Sequence, residues 1–180
     1  MIVETVLWKS LQWSGHESAR LLARDDGWLL EGTAAFAHES NACRLDYAIE
    51  CDRAWATRSA RVQGWVGARE VDVTIEVVNG DWILNGVEQK QVAGCIDIDL
   101  NFSPSTNLLP IRRIDPADES IAVRAAWLRF PSFELEPLEQ RYTRIAADRV
   151  SYASTNFTAL LHVSPNGLVR DYETLWTAER

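Results

Sequence analysis

Apolar and polar residues alternate at every second position along much of this chain, and this period constrains the fold more than any other feature. In the segment 71–77, valine or isoleucine occupies every odd position, and Asp, Thr or Glu occupies every even one. Successive side chains of a strand point to opposite faces, so this period predicts half-buried β-strands. We predict strands within the segments 28–36, 45–51, 71–77, 123–127, 142–145 and 157–163.

Turn signals separate the predicted strands. Asn79-Gly80 and Asn85-Gly86 lie six residues apart around a short apolar run, and Asn-Gly favours two-residue hairpin turns because both residues tolerate positive φ. Similar signals occur at Asp26-Gly27 and Pro165-Asn166-Gly167. The sequence therefore predicts one domain over residues 1–180, a mainly β fold in which a many-stranded antiparallel sheet curls around one short helix.

The segment Gly94–Ile114 carries the densest set of signals. Alternation from Ile96 to Phe102 predicts a strand with an apolar face and with Asp97, Asp99 and Asn101 on the opposite, polar face. A strand rise places the two carboxylates about 6.6 Å apart.

The predicted helix begins directly after this strand. Ser103 is a good N-cap and Pro104 suits the first helical position, while Pro110 keeps the helix brief or kinked. Arg112 and Arg113 follow, and they can reach the acidic face if the chain folds back.

Composition excludes several classes of partner. The 180 residues carry a formal charge of −8 and only two lysines, so neither nucleic acid nor an anionic membrane surface is an expected partner. No apolar stretch is long enough to span a membrane and the N-terminus lacks the layout of a signal peptide, which predicts a cytoplasmic protein. Cys43 and Cys51 would lie roughly 26 Å apart on one strand, so we predict buried free thiols.

Local spacing supports no metal site or nucleophilic triad. His16, His38 and His162 are far apart, and neither a Cys-x-x-Cys pair nor a Gly-x-Ser-x-Gly elbow occurs. Asp97 and Asp99 leave three interpretations open: a hard-cation site, the carboxylate pair of a hydrolase, or acceptors for nearby arginines. The eight tryptophans suit a core, a pocket wall or a platform for stacking sugars.

Several stretches together resemble the Putative glycolipid-binding family of uncharacterised bacterial proteins, and the resemblance covers nearly the whole chain. The stretches that carry it are Trp13-Ser14-Gly15-His16-Glu17, Tyr47 with Cys51-Asp52 and Trp55-Ala56-Thr57-Arg58, Asp81-Trp82 with Asn85-Gly86, Gly94-Cys95-Ile96-Asp97-Ile98-Asp99-Leu100, Ser103-Pro104 with Thr106-Asn107, Leu109-Pro110-Ile111-Arg112-Arg113, Gln140-Arg141-Tyr142, and Gly167-Leu168-Val169 with Asp171-Tyr172. The resemblance implies a spiral β-roll around one helix, similar to bacterial carriers of lipoproteins and lipids.

We therefore expect a binding protein that holds a glycolipid-like amphiphile in an apolar groove, without a cofactor, a metal or catalysis. The polar network predicted for the head group comprises Asp97, Asp99, Asn107, Arg112, Arg113, Arg141 and Tyr142, with Trp55, Arg58, Trp82 and Glu17 as further candidates. Two alternatives stay open: an enzyme on a small lipid or sugar that uses Asp97 or Asp99, and an interaction module without a ligand. The oligomeric state is left open.

Overall fold

The structure is a computed structural model, and it describes residues 1–114 and 120–179. The first eight strands are β1 (Ile2–Ser10), β2 (Gly15–Arg24), β3 (Gly27–His38), β4 (Asn41–Asp52), β5 (Thr57–Val66), β6 (Arg69–Val78), β7 (Asp81–Leu84) and β8 (Val87–Glu88). The others are β9 (Asp97–Leu100), β10 (Ser120–Leu128), β11 (Leu135–Ala146), β12 (Arg149–Ser154), β13 (Phe157–Val163), β14 (Val169–Tyr172) and β15 (Trp176–Ala178). All six predicted strand segments lie within these strands.

The fifteen strands form one sheet, in the order β8-β7-β6-β5-β4-β3-β2-β1-β15-β14-β13-β12-β11-β10-β9. Sequential neighbours pair antiparallel, except that β9 and β10 run parallel. The two Asn-Gly hairpins form as predicted: Asn79, Gly80, Asn85 and Gly86 all have positive φ, between 48° and 90°. Such angles give the turn a twist that matches the flanking strands.

The sheet curls until its end strand β9 approaches β5, but it does not close by strand pairing. At the junction, which we call the seam, the amide of Thr57 donates to the carbonyl of Ile96 at 3.1 Å. The hydroxyl of Thr57 in turn accepts from the amide of Ile98 at 3.0 Å. The 3-10 turn Lys90–Val92 packs between β7 and β11, and the Gln91 side chain donates to the carbonyl of Leu135.

The inward face of the curled sheet forms the core. In β4, the residues predicted to share one face, Leu45, Tyr47, Ile49 and Cys51, are all at most 4% exposed. Burying a side chain such as Leu45 stabilises the fold by about 1.5–3 kcal/mol. All three cysteines are buried and free, as predicted.

The short helix lies inside the roll. A 3-10 turn, Ser105–Asn107, leads into α1 (Leu108–Arg113), so the prediction of one short helix is confirmed. Its predicted start is wrong, because Asn107 rather than Ser103 is the N-cap of α1 and Pro104 precedes the 3-10 turn. Pro110 falls in the first turn of α1, where a backbone N–H has no intrahelical acceptor and its loss costs little. Leu108, Leu109 and Ile111 pack into the core.

The strand before the helix differs from the prediction in one respect. The alternation places Ile96 on a buried face and Asp97 on a polar one, but Ile96 is 49% exposed and Asp97 only 1%. Ile98 and Leu100 are also buried, so β9 is covered on both faces. The side chain of Asp97 is buried against Arg113 of α1. Within residues 1–114 and 120–179, no helix combines the length and apolar character needed to cross a membrane.

Candidate functional site

A cleft of about 490 Å³ opens between β9, the strands β10–β15 and the connection between β1 and β2. Its aromatic lining residues are Trp13, Trp127, Tyr152, Phe157, Tyr172 and Trp176. Its polar lining residues are Gln12, Asp99, Asn101, Ser103, Asn107, Ser154, Thr155 and Asn156. The cleft therefore combines ring faces with hydrogen-bonding groups in a volume typical of small-molecule sites.

One wall of the cleft is an aromatic cluster from three neighbouring strands. The ring centroid of Tyr152 lies 6.1 Å from that of Phe157 and 6.0 Å from that of Tyr172, and Phe157 and Tyr172 are 6.2 Å apart. On the opposite side, Trp13 stacks on Phe36 at 4.8 Å. Packing among these rings fixes their orientation, which leaves rigid apolar surfaces facing the cleft.

Asp99 supplies the carboxylate of the cleft. Its Oδ2 accepts a hydrogen bond from Gln140 Nε2 at 2.5 Å, and the same nitrogen lies 3.2 Å from the hydroxyl of Tyr152. Burial raises the pKa of Asp99 to about 6, against the lowering effect of the Gln140 hydrogen bond. Near neutral pH, Asp99 is thus an oriented anion at the base of the cleft.

Asn107 is held in place beside the cleft by two hydrogen bonds. Its amide nitrogen donates to the carbonyl of Pro104 at 3.0 Å, and its oxygen accepts from the hydroxyl of Tyr142 at 2.9 Å. Burial raises the pKa of Tyr142 well above its usual value, so its hydroxyl stays neutral. The predicted residues Asn107 and Tyr142 are therefore brought together, with Tyr142 behind Asn107.

Asp97 and Arg113 form a bidentate ion pair that joins β9 to α1. Arg113 Nη2 donates to Asp97 Oδ2 at 2.6 Å, and Nη1 bonds the other carboxylate oxygen. Burial raises the pKa of Asp97, while the hydrogen bonds and charge of Arg113 act against the shift. Asp97 does not line the cleft, although its charge adds to the rise in the pKa of Asp99.

Glu17 lies at the centre of a buried hydrogen-bonded cluster with Tyr47 and Ser103. Its Oε1 accepts from the hydroxyls of Tyr47 and Ser103, both at 2.6 Å. Its Oε2 has no hydrogen-bond partner among the described residues. Burial raises the pKa of Glu17 to about 7, and the bonds from Ser103 and Tyr47 partly oppose that rise. Since Ser103 lines the cleft, Glu17 lies one hydrogen bond behind its wall.

Gly32 makes this cluster possible. A Cβ at position 32 would lie 2.6 Å from the hydroxyl oxygen of Tyr47 and 2.7 Å from the carbonyl oxygen of Ser18. The absence of a side chain at Gly32 therefore lets Tyr47 cross β3 and reach Glu17.

The other predicted residues lie outside the cleft lining. Arg112 lies over the ring of Trp55 at 5.2 Å, and Arg58 pairs with an exposed Asp26 at 2.8 Å. Trp82 is 1% exposed and donates to a backbone carbonyl in the core. Arg141 is exposed and bonds Ser120 at 3.5 Å.

Of the eleven predicted site residues, Asp99 and Asn107 line the cleft, and Glu17 and Tyr142 bond a lining residue directly.

Among the described residues, no group of three or more His, Cys, Asp or Glu side chains is placed to hold a metal ion.

Sequence reasoning missed Gln140 and most of the aromatic lining. The abundance of tryptophan indicated that some rings could form a pocket wall, but it did not single out Trp127 or Trp176. Tyr172 occurs in one of the stretches that carry the family resemblance, which is the signal that could have identified it. Tyr152 and Phe157 flank a short turn, and nothing in the local pattern distinguishes them from core residues.

Comparison with known proteins finds relatives over the length of the chain. The family model described as Putative glycolipid-binding matches residues 5–178. A DUF1089 family protein from Pseudomonas aeruginosa, known from its crystal structure, is 30% identical, with a TM-score of 0.79 over 89% of this chain and 91% of that one. None of the curated proteins compared with the chain matches it.

A second solved structure supports the fold alone. It is a β-barrel-like protein of the domain of unknown function DUF1849 from Brucella abortus, which is 8% identical to this chain. The TM-score is 0.57, and the match covers 98% of this chain and 95% of the other. The mainly β, curled-sheet prediction is thus confirmed.

Proposed function

The chain belongs to the Putative glycolipid-binding family, and from this premise we propose that it binds a glycolipid-like amphiphile in the cleft. The observation that carries the proposal is the combination of six aromatic side chains with one oriented carboxylate in a cleft of about 490 Å³. Aromatic faces suit both the C–H face of a sugar ring and an alkyl chain, and the carboxylate accepts hydrogen bonds from sugar hydroxyls. We expect no catalysis.

We assign distinct roles to the predicted polar residues. Asp99 accepts from the head group, and Gln140 keeps its carboxylate oriented. Asn107 presents an amide that Tyr142 and the Pro104 carbonyl hold in place. Preorganised polar groups of this kind raise affinity because less freedom is lost on binding.

The remaining predicted residues have supporting positions. Glu17 steadies Ser103 in the wall, and the Asp97–Arg113 pair attaches α1 to the strand that carries Asp99. Five further predicted residues lie outside the lining of this cleft: Arg58, Arg112, Arg141, Trp55 and Trp82. Contact between any of them and a ligand stays a prediction. The cytoplasmic location stays a prediction as well.

The alternatives are less well supported by the geometry. Two carboxylates must flank a scissile bond for glycoside hydrolysis, whereas the Asp97 carboxylate is taken up by Arg113 behind the wall. An interaction module without a ligand would present a flat apolar patch rather than a cleft.

Mass spectrometry of material extracted from the protein purified from its own cells tests the proposal directly. We expect a copurifying amphiphile with a sugar head group. A titration with decyl maltoside, followed by tryptophan fluorescence below the micelle concentration, provides an affinity.

The matched variants are Trp127→Ala and Trp65→Ala. Both side chains are partly exposed on strands, but only Trp127 lines the cleft. Loss of a stacking ring is worth about 1 kcal/mol, so Trp127→Ala should bind about fivefold more weakly while Trp65→Ala binds like the wild type. Equal affinities of both variants, or repeated extraction of protein that carries no amphiphile, would contradict the proposed function.

A further inference from the structure

The charges around the cleft distinguish between classes of head group. Asp99 is the one ionisable carboxylate in the lining, and none of the described lining residues is Lys, Arg or His. The other polar lining groups are amides and hydroxyls, which carry no charge. An anion in this cleft would therefore meet a carboxylate without a compensating cation.

Three arginines from elements around the cleft are engaged with other groups. Arg113 gives both of its terminal nitrogens to Asp97 behind β9. Arg144 donates to the carbonyl of Ile111 at 3.4 Å. Arg129 lies over the ring of Trp127 at 5.0 Å, but it pairs with Glu136 at 3.2 Å, so its charge is compensated locally.

Asp99 itself has acceptor capacity to spare. Its Oδ2 accepts from Gln140, while Oδ1 accepts no hydrogen bond from the described residues. A carboxylate oxygen can take hydrogen bonds from more than one donor. A sugar hydroxyl is such a donor, whereas a phosphate, sulfate or carboxylate group carries like charge and donates weakly or not at all.

We propose, as an extension that rests on the proposed function, that the cleft selects uncharged polyhydroxylated head groups and excludes anionic ones, with Asp99 as the residue that enforces this choice. Neutral glycolipids are then the ligand class, and anionic phospholipids and free fatty acids are rejected. Like charges brought together at a binding site are a common means of excluding the wrong partner.

Three amphiphiles with the same ten-carbon chain test the selection: decyl maltoside, decyl phosphate and decyltrimethylammonium. Binding is followed by tryptophan fluorescence at neutral pH and physiological salt, below each micelle concentration. We expect decyl phosphate to bind at least about tenfold more weakly than decyl maltoside. Charge and cation–π contacts favour decyltrimethylammonium, but it cannot donate a hydrogen bond to Asp99. If hydroxyl recognition dominates, as proposed, its affinity should not exceed that of decyl maltoside.

Two variants and one control test whether Asp99 causes the selection: the first variant removes its charge, and the second adds a cation to the lining. Asp99→Asn should reduce the preference for maltoside over phosphate, whereas Glu70→Gln, which removes the same charge at an exposed position of β6, should leave it unchanged. Asn156→Lys adds a cation at an exposed lining position, in the turn between β12 and β13, and should admit decyl phosphate. This second variant keeps the test decisive if Asp99→Asn folds poorly, as judged by circular dichroism.

The outcomes separate the selection from the proposed function. Equal binding of maltoside and phosphate by the wild type would overturn the selection and leave glycolipid binding intact. An unchanged ratio in Asp99→Asn would overturn the role of Asp99. Tighter binding of decyltrimethylammonium than of decyl maltoside would show that the cleft selects by charge alone, and it would overturn the recognition of hydroxyl groups. Failure of all three amphiphiles to bind would overturn the proposed function itself.

Discussion

Replacing Glu17 by Gln should remove a strong pH dependence from the stability of this protein. The carboxyl of Glu17 is fully buried, one of its oxygens has no hydrogen-bond partner among the described residues, and burial raises its pKa from the usual 4.5 to about 7. Between these two values the folded protein holds a proton that the unfolded chain has lost. The free energy of unfolding therefore falls as the pH rises through this window, and it levels off above the folded pKa.

The size of the effect follows from the gap between 4.5 and about 7. At about 1.4 kcal/mol per pH unit, Glu17 contributes about 3 kcal/mol of stability below pH 4.5 that is absent above pH 8. For a chain of this length, that corresponds to about 6–12 °C in Tm. Gln cannot ionise, so the variant should lack this component while it retains the acceptor for Tyr47 and Ser103.

The assay is urea unfolding followed by tryptophan fluorescence at several pH values between 4.5 and 8.5. The quantity of interest is the difference between the wild type and Glu17→Gln, because other titrating groups affect both proteins alike. We expect the variant to gain about 3 kcal/mol relative to the wild type from pH 4.5 to 8.5. For the exposed control Glu70→Gln, the free energy of unfolding should change with pH as it does for the wild type. The same pH dependence in Glu17→Gln would refute the assignment of a raised pKa to Glu17.

Three further predictions concern packing. Arg113→Ala leaves the buried carboxylate of Asp97 unpaired and should lower the free energy of unfolding, measured in urea, by about 3–5 kcal/mol. Ala at the exposed Arg112 should lower it by about 1 kcal/mol or less. Similar losses in the two variants would contradict the structural role of the ion pair. Gly32→Ala places a methyl group against Tyr47 and a backbone carbonyl and should lower the free energy of unfolding by about 1–3 kcal/mol, so a variant of wild-type stability would show that β3 shifts freely. Burial raises the pKa of all three thiols, and we expect no reaction with a disulfide reagent at pH 8 until urea unfolds the chain; rapid labelling of folded protein would disprove their burial.

Local features of the fold could be predicted where one physical cause dominates. The hairpins at residues 79–80 and 85–86 follow from the tolerance of Asn and Gly for positive φ. The strand at 71–77 follows from strict alternation, because one face of β6 meets water and the other the core. β2 (Gly15–Arg24) was not predicted, since the polar Glu17 stands at an inward position beside Ala19 and Leu21 and masks the period.

The candidate site depends on contacts that no local pattern contains. Asp99, Tyr152 and Tyr172 come from β9, β12 and β14, and only the curl of the sheet brings them to one cleft. The prediction that an arginine pairs with the acidic residues is confirmed for Asp97 and Arg113. The alternation did not reveal that Asp97 is buried, because its burial depends on its contact with Arg113 of α1.

The seam determines how the size of the roll can change. A ring of strands that is hydrogen-bonded throughout keeps a constant circumference, because expansion must break an entire ladder. Here the end strand β9 meets β5 through Thr57, and the side chain of Gln91 reaches β11. We therefore expect a guest bulkier than the cleft to part the few bonds between β9 and β5, directly beside Asp99, while the fourteen strand ladders stay intact.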